Sequence, residues 1–131
     1  MIDLEKIVAV SGQGSLFKLI NTRGNGLILE DLSTNKTNFY SSRIYQFSPL
    51  DTIGIYTMTD TLPLKDVYEL ILRKKSEYPI PEANGEDAQF KEYFKSVLPE
   101  YDPYRVHVKD MKKAIKWFRQ LKELELIKIE L

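Results

Sequence analysis

The stretch that most constrains the fold is KDMKKAIKWFRQLKEL, residues 109–124, which is the most strongly periodic segment of the chain. On a helix that turns about 100° per residue, its apolar side chains fall on one side. They are Met111, Ala114, Ile115, Phe118 and Leu121. The other side is basic and carries Lys109, Lys112, Lys113, Lys116 and Arg119. We predict an amphipathic helix whose apolar side packs on a core, and whose basic side is either solvated or binds an anionic partner.

The N-terminal part of the chain has the pattern of β-strands. Its β-rich runs are KIVAV (6–10), SLFKLIN (15–21), GLILEDL (26–32), KTNFY (36–40) and IGIYTM (53–58). Turn residues separate them about every ten to twelve positions, which is typical of a small antiparallel barrel. We predict an SH3-like β-barrel over residues 1–62. Its expected buried residues are Val8, Val10, Leu16 or Phe17, Leu27, Leu29, Phe39, Ile53 and Ile55.

Helical spacing starts at Leu64 and continues to Leu72, and Pro63 suits the first turn because its missing N–H needs no partner there. This helix is expected to end near Lys75. It is followed by SEYPIPEANG (76–85), in which two prolines and a glycine favour a boundary. Residues 63–84 are therefore a predicted connecting helix and linker.

Residues 85–131 form a predicted C-terminal helical unit. Asn84 is the expected N-cap of a second helix that ends before Pro99. Asp102 followed by Pro103 predicts one tight helical turn before the helix at residues 109–124. A short apolar tail, Leu126, Ile127 and Ile129, is expected to pack against either half. The predicted fold class is α+β, with a barrel, a connecting helix and a helical unit in that order.

Charge and composition restrict the classes of function. The 19 basic and 19 acidic residues cancel, so attraction to nucleic acid or to an anionic membrane is not a property of the whole molecule. Any electrostatic partner must bind a local patch. The chain has no cysteine, an acidic start where a signal peptide is basic, and no apolar run near the roughly 20 residues of a membrane span. We expect a soluble cytoplasmic protein that does not bind membranes.

Catalytic and metal-binding patterns are not found in the sequence. His107 is the single histidine, and it lies between two valines, where a packed or hydrogen-bonded role is more common than catalysis. Without a second histidine or a cysteine, a transition-metal site would need carboxylates alone. Neither glycine pair, at residues 12 and 14 or at 24 and 26, continues into a phosphate-binding loop. We expect no enzyme activity, no metal and no cofactor.

Three segments together resemble a known family. They are IVAVSGQGSLFKLI, DTIGIYTMTDTLPLKDV and YFKSVLPEYDPYRVHVKDMKKAIKWF, which span roughly Lys6 to Leu121. The combination resembles small, uncharacterised bacterial proteins with a domain of unknown function. The VLPEYD block followed by a tryptophan in the third helix is its most specific part. The resemblance implies no activity, cofactor or catalytic residue.

Two binding hypotheses remain. In the first, Lys109, Lys112, Lys113, Lys116 and Arg119 contact the phosphates of a nucleic acid. In the second, the chain is a protein-interaction or oligomerisation module that uses a barrel edge or a tyrosine-rich surface. Trp117 borders the apolar stripe, and we expect it to pack between the barrel and the helices rather than to be an exposed contact residue. The sequence leaves open whether the chain is a monomer or a homo-oligomer.

Overall fold

The computed structural model describes residues 4–82 and 84–124. The chain divides into two compact units between Ile53 and Gly54. The N-terminal unit contains β1 (Ile7–Val10), β2 (Leu16–Arg23), β3 (Gly26–Asp31), β4 (Thr37–Ser41), β5 (Phe47–Pro49) and a 3-10 turn (Leu50–Thr52). The C-terminal unit contains β6 (Gly54–Tyr56), β7 (Thr61–Pro63), α1 (Leu64–Lys74), α2 (Asp87–Val97) and α3 (Val108–Glu123). The predicted α+β class is confirmed.

The N-terminal unit is one antiparallel sheet with the strand order β4-β3-β2-β1-β5. The first four predicted strands are confirmed as β1 to β4. The predicted fifth strand, at residues 53–58, is confirmed as β6, but its predicted place in the N-terminal sheet is wrong, because β6 pairs with β7 in a separate two-stranded sheet and β5 lies beside β1. The compact units therefore divide before the predicted boundary at residue 62. Among the described strands no pairing joins β4 to β5, so the SH3-like barrel stays a prediction.

One face of this sheet forms a buried core. Val8 and Val10 of β1, Phe17 of β2 and Leu29 of β3 are its fully buried members. Tyr40 of β4 packs on them, with its ring centroid 5.2 Å from that of Phe17. The rings of β2 and β4 therefore meet over one face of the intervening β3.

Phe39 was predicted to be buried in this core, and that prediction is wrong. Successive side chains of a strand point to opposite faces, and in β4 the inward position belongs to Tyr40. Phe39 is 46% exposed, and its ring lies over Gly26 of the neighbouring strand. A Cβ atom at Gly26 would stand 2.8 Å from Cζ of Phe39 and would also overlap the Tyr40 carbonyl oxygen. The close approach therefore requires glycine.

The core of the C-terminal unit is built around α3. All five residues of its predicted apolar stripe are buried, which confirms the helix and its inward side. Tyr68 of α1 is fully buried, and its hydroxyl donates a 2.8 Å hydrogen bond to the Ala114 carbonyl of α3. Its ring packs edge-on against Phe118 with the centroids 5.2 Å apart. Burial raises the pKa of Tyr68 above its ordinary value, so the phenol stays protonated and keeps this bond.

The helix starts differ from the predicted ones in two places. Asn84 is not the N-cap of α2, which begins at Asp87 after an extended Glu86. Helix α3 begins at Val108 with His107 as its N-cap, and the Asp110 carboxylate accepts a 3.1 Å hydrogen bond from the His107 backbone N–H. This bond satisfies a backbone donor just before the first turn, a contact that sequence inspection did not anticipate.

Two further expectations concern the ends of the chain and membranes. The predicted apolar tail, Leu126, Ile127 and Ile129, lies outside the described residues. Within residues 4–82 and 84–124, no helix has the length and apolar character needed to cross a membrane.

The contact between Phe39 and Gly26 can be tested by substitution. We expect Gly26→Ala to lower the free energy of unfolding by about 1–3 kcal/mol, because the new methyl group forces the strand backbone and the Phe39 ring apart. Gly24→Ala, two residues earlier in the β2–β3 turn, is a matched control, since a Cβ there meets nothing within 4 Å. Urea unfolding followed by circular dichroism measures both. Equal losses for the two variants would contradict the proposed overlap.

Candidate nucleic-acid interface

Only some of the basic side chains predicted for helix α3 are exposed and without a partner in the described residues. Lys109, Lys113 and Lys116 are exposed and lie within about 60° of arc on the side opposite the buried stripe. Within the described part of the chain, none of the three has an ion pair or a side-chain hydrogen bond. We call these three residues the lysine row.

Lys112 has a partner inside the C-terminal unit. Its Nζ lies 2.6 Å from Oδ1 of Asp87 and 5.8 Å from the centroid of the Phe90 ring, so it joins α3 to the start of α2. The hydrogen bond from Lys112 holds the pKa of Asp87 below its ordinary value. Both groups are substantially exposed, so the pair contributes little stability. It does neutralise one of the five predicted cations.

Arg119 binds the linker that precedes α2. Its guanidinium donates hydrogen bonds of 2.9 Å to the Ile80 carbonyl and of 2.8 and 3.0 Å to the Pro81 carbonyl. Glu82 lies 3.8 Å away. Carbonyls in a proline-containing segment without regular structure need such donors, and the planar fork of arginine supplies several at once. Arg119 therefore stabilises the unit, and its charge is directed toward the linker.

Trp117 lies at the border of the apolar stripe of α3 and is partly buried. A tryptophan at such a border combines a large apolar ring with an N–H that needs a polar partner or water. Its predicted role in packing between the barrel and the helices stays a prediction.

The turn before α3 confirms the prediction made from Asp102 and Pro103. The Asp102 carboxylate accepts 2.9 Å hydrogen bonds from the Tyr104 backbone N–H and from Nε of Arg105. The Asp102 carbonyl accepts a further bond of 2.9 Å from the Val106 N–H. These three bonds close one compact turn between α2 and α3.

This turn is attached to the β6–β7 hairpin. The Asp102 N–H donates a 2.9 Å hydrogen bond to the Tyr56 carbonyl, and Arg105 stacks over the Tyr56 ring with 4.4 Å between the guanidinium carbon and the ring centroid. Tyr56, Met58 and Tyr104 remain 44%, 61% and 84% exposed. The sequence did not predict this surface, because its residues come from two separate segments. Only one of these segments, PEYDPYR, carries a recognisable motif.

The chain has one histidine as a candidate catalytic side chain. His107 is exposed at the N-cap of α3. No group of three or more His, Cys, Asp or Glu side chains suited to a metal ion occurs in the described part of the chain.

Arg119 and the lysine row should behave differently when their charge is removed. We expect Arg119→Met to lower the free energy of unfolding by about 1.5–3 kcal/mol, because charge-assisted bonds to two linker carbonyls are lost. Lys116→Met, one turn away and exposed, should change it by less than about 0.5 kcal/mol. Arg119→Lys should recover only part of the loss, since one ammonium cannot reproduce the fork. Chemical denaturation that finds Arg119→Met and Lys116→Met equal would exclude the structural role.

The Asp102 carboxylate makes the stability of the turn depend on pH. Bonds from Arg105 and from the Tyr104 N–H lower the pKa of Asp102 in the folded state, so its stabilising effect is complete above the unfolded-state pKa of about 3.9 and is lost as the pH falls through the lower folded value. We expect the melting temperature of wild type to exceed that of Asp102→Asn from neutral pH down to about pH 5, and the gap to close below about pH 4. Asp51→Asn, in the N-terminal unit, controls for the loss of one negative charge. A gap that stays constant down to pH 2 would contradict the linkage.

Comparison with known proteins follows the division into two units. A family model described as domain of unknown function DUF5606 matches residues 4–50, and one described as domain of unknown function DUF6852 matches residues 53–121. The chain is also similar to a solution NMR structure from Bacteroides vulgatus, a structural-genomics target, with a TM-score of 0.76 and 28% identity over 97% of this chain and 91% of that chain. Among curated proteins, none matches it. Because the second model covers more than half of the 131 residues, the predicted resemblance to a family of unknown function is confirmed, and the chain belongs to the DUF6852 family.

Proposed function

We propose that this protein is a non-enzymatic binding protein that contacts the phosphates of a nucleic acid through the lysine row. The observation that carries the proposal is the placement of Lys109, Lys113 and Lys116 on one exposed side of α3, without a partner in the described residues. Lysine suits this role because its ammonium is a compact charge on a flexible stem, which adapts to phosphates without fixed geometry.

The length of the lysine row fits a short run of phosphates. Lys109 and Lys116 are seven residues apart, which is about 10 Å along a helix. The row offers three ammonium groups, each of which can neutralise one phosphate, so it can pair with about three phosphates. The zero net charge adds little long-range attraction. We therefore expect affinities in the micromolar range and a strong dependence on salt.

The proposal extends to the finer points of fold and location. We propose that the N-terminal unit is a partly open SH3-like barrel. Two observations support this: β5 pairs with β1, and the rings of Phe17 in β2 and Tyr40 in β4 are in contact. We also propose a cytoplasmic protein without catalytic activity. The lack of cysteine supports a reducing compartment, and no group of side chains suited to a metal ion occurs in the described residues.

A second candidate function is protein interaction or oligomerisation, and a separate observation favours it. Strand β4 is the last strand of its sheet and pairs only with β3 in the described residues. Its sequence, TNFYS, contains none of the charged residues that usually protect an edge, and Phe39 is exposed on it. Such an edge can accept a strand from a partner or from a second copy. Light scattering over a concentration series tests the second-copy version.

The lysine row predicts a defined salt dependence. For about three neutralised phosphates, a plot of log affinity against log salt should have a slope of about −2 on single strands and about −3 on duplexes. Lys113→Glu with Lys116→Glu should reduce the slope toward zero. Fluorescence anisotropy with labelled oligonucleotides between 25 and about 200 mM salt measures it.

Lys65→Glu is the matched control for this test, because Lys65 is an exposed lysine on α1 of the same unit. It changes the net charge by the same amount per substitution and should leave the slope unchanged. If wild type shows no salt-dependent binding at micromolar protein, or if Lys65→Glu lowers the slope as much as each lysine-row change, the proposed function is wrong.

A further inference from the structure

We infer that the nucleic acid is bound as a single strand, with an unpaired base stacked on Tyr104. This inference rests on the proposed function and names its ligand class. Its structural basis is the ring of Tyr104, which is 84% exposed and has no ring or cation partner among the described residues.

The backbone of Tyr104 is held in place although its ring is free. The Asp102 carboxylate accepts a hydrogen bond from the Tyr104 N–H, and the Asp102 N–H donates one to the Tyr56 carbonyl of the β6–β7 hairpin. A second link is the 2.8 Å hydrogen bond that the Met58 N–H donates to the Glu100 carbonyl. An aromatic ring on a fixed backbone loses little entropy when a ligand stacks on it.

Tyr104 lies close to the start of the lysine row. Lys109 follows it by only five positions, which limits their Cα atoms to about 17 Å even in a fully extended chain. The actual path is shorter, because residues 102–106 form a turn and α3 begins at Val108. A strand whose phosphates follow the lysine row therefore brings its next nucleotides to Tyr104.

The neighbouring side chains extend the same surface. The Arg105 guanidinium carbon lies 4.4 Å above the centroid of the Tyr56 ring, and both groups remain about half exposed. Guanidinium planes and tyrosine rings are the surfaces on which proteins stack unpaired bases. The Asp102 carboxylate, which holds the turn that carries Tyr104, is neutralised by Arg105 at 2.9 Å.

A duplex cannot use this surface in the same way. Its bases are already stacked on one another, so it offers the protein only phosphates and groove edges. The exposed Tyr104 ring therefore adds affinity for a single strand and none for a duplex. Tyrosine, methionine and arginine are also enriched in protein interfaces, so a protein ligand is the competing outcome of the experiment.

The experiment compares three fluorescent ligands on the full chain. They are a 12-nucleotide oligothymidylate, a phosphodiester of about the same length that lacks bases, and a duplex of about 12 base pairs, all measured by anisotropy. Wild type should bind the oligothymidylate about 5- to 150-fold more tightly than the abasic strand, which is the range for stacking one base. Tyr104→Ala should abolish this preference without changing the salt slope, and Tyr104→Phe should retain it.

Ile44→Ala is the control for the loss of an exposed apolar side chain, since Ile44 is 75% exposed in the N-terminal unit. Equal binding of wild type to the oligothymidylate and the abasic strand, or a preference that survives Tyr104→Ala, overturns the inference. In that case a salt slope that still responds to the lysine-row changes leaves the proposed function standing. A preference that depends on Tyr104 with a slope that ignores the lysine row supports stacking and removes the proposed phosphate contact. If none of the three ligands binds, both ideas fail and a protein ligand remains.

Discussion

The hydrogen bond from the buried Tyr68 hydroxyl to the Ala114 carbonyl is the constraint on which the C-terminal unit depends. A phenol excluded from water must find an acceptor, and here it takes a backbone carbonyl in the middle of another helix. This bond and the ring contact with Phe118 fix the rotation of α3 about its axis relative to α1. The rotation decides which side chains of α3 face water. The lysine row is therefore exposed because the apolar side of α3 is fixed against α1.

The local pattern of α3 was readable from sequence because it depends only on helical geometry and the separation of apolar from charged side chains. The contacts of Lys112 and Arg119 could not be predicted from the sequence, because their partners lie in other segments. Lys112 pairs with Asp87, and Arg119 binds the carbonyls of Ile80 and Pro81. Periodicity assigns a residue to a side of a helix, and tertiary contacts decide whether its charge is available. Two of the five predicted cations thus have partners within the C-terminal unit.

The N-terminal sheet shows a similar limit. Four strands were found from composition and turn residues, but their inward side was uncertain by one position in β4, where Tyr40 and not Phe39 joins the core. A one-residue shift exchanges the two faces of a strand. Because Phe39 and Tyr40 are adjacent aromatic residues, the sequence does not show which of the two points into the core. The sequence did not predict the short β5, because a three-residue strand that ends in proline has almost no alternating pattern. Its pairing with β1 is a long-range contact.

The bonds between Arg119 and the linker carbonyls also bear on how such a protein changes over generations. The segment at residues 80–82 reads as a hinge between modules, yet its polar backbone groups are satisfied from the last turns of α3. A recombination event at this apparent seam would separate the guanidinium from its acceptors and leave both uncompensated. The seam between Ile53 and Gly54 imposes no such loss within the C-terminal unit. A chain break in the proline-rich stretch would therefore cost these bonds, whereas a break between Ile53 and Gly54 would leave them intact.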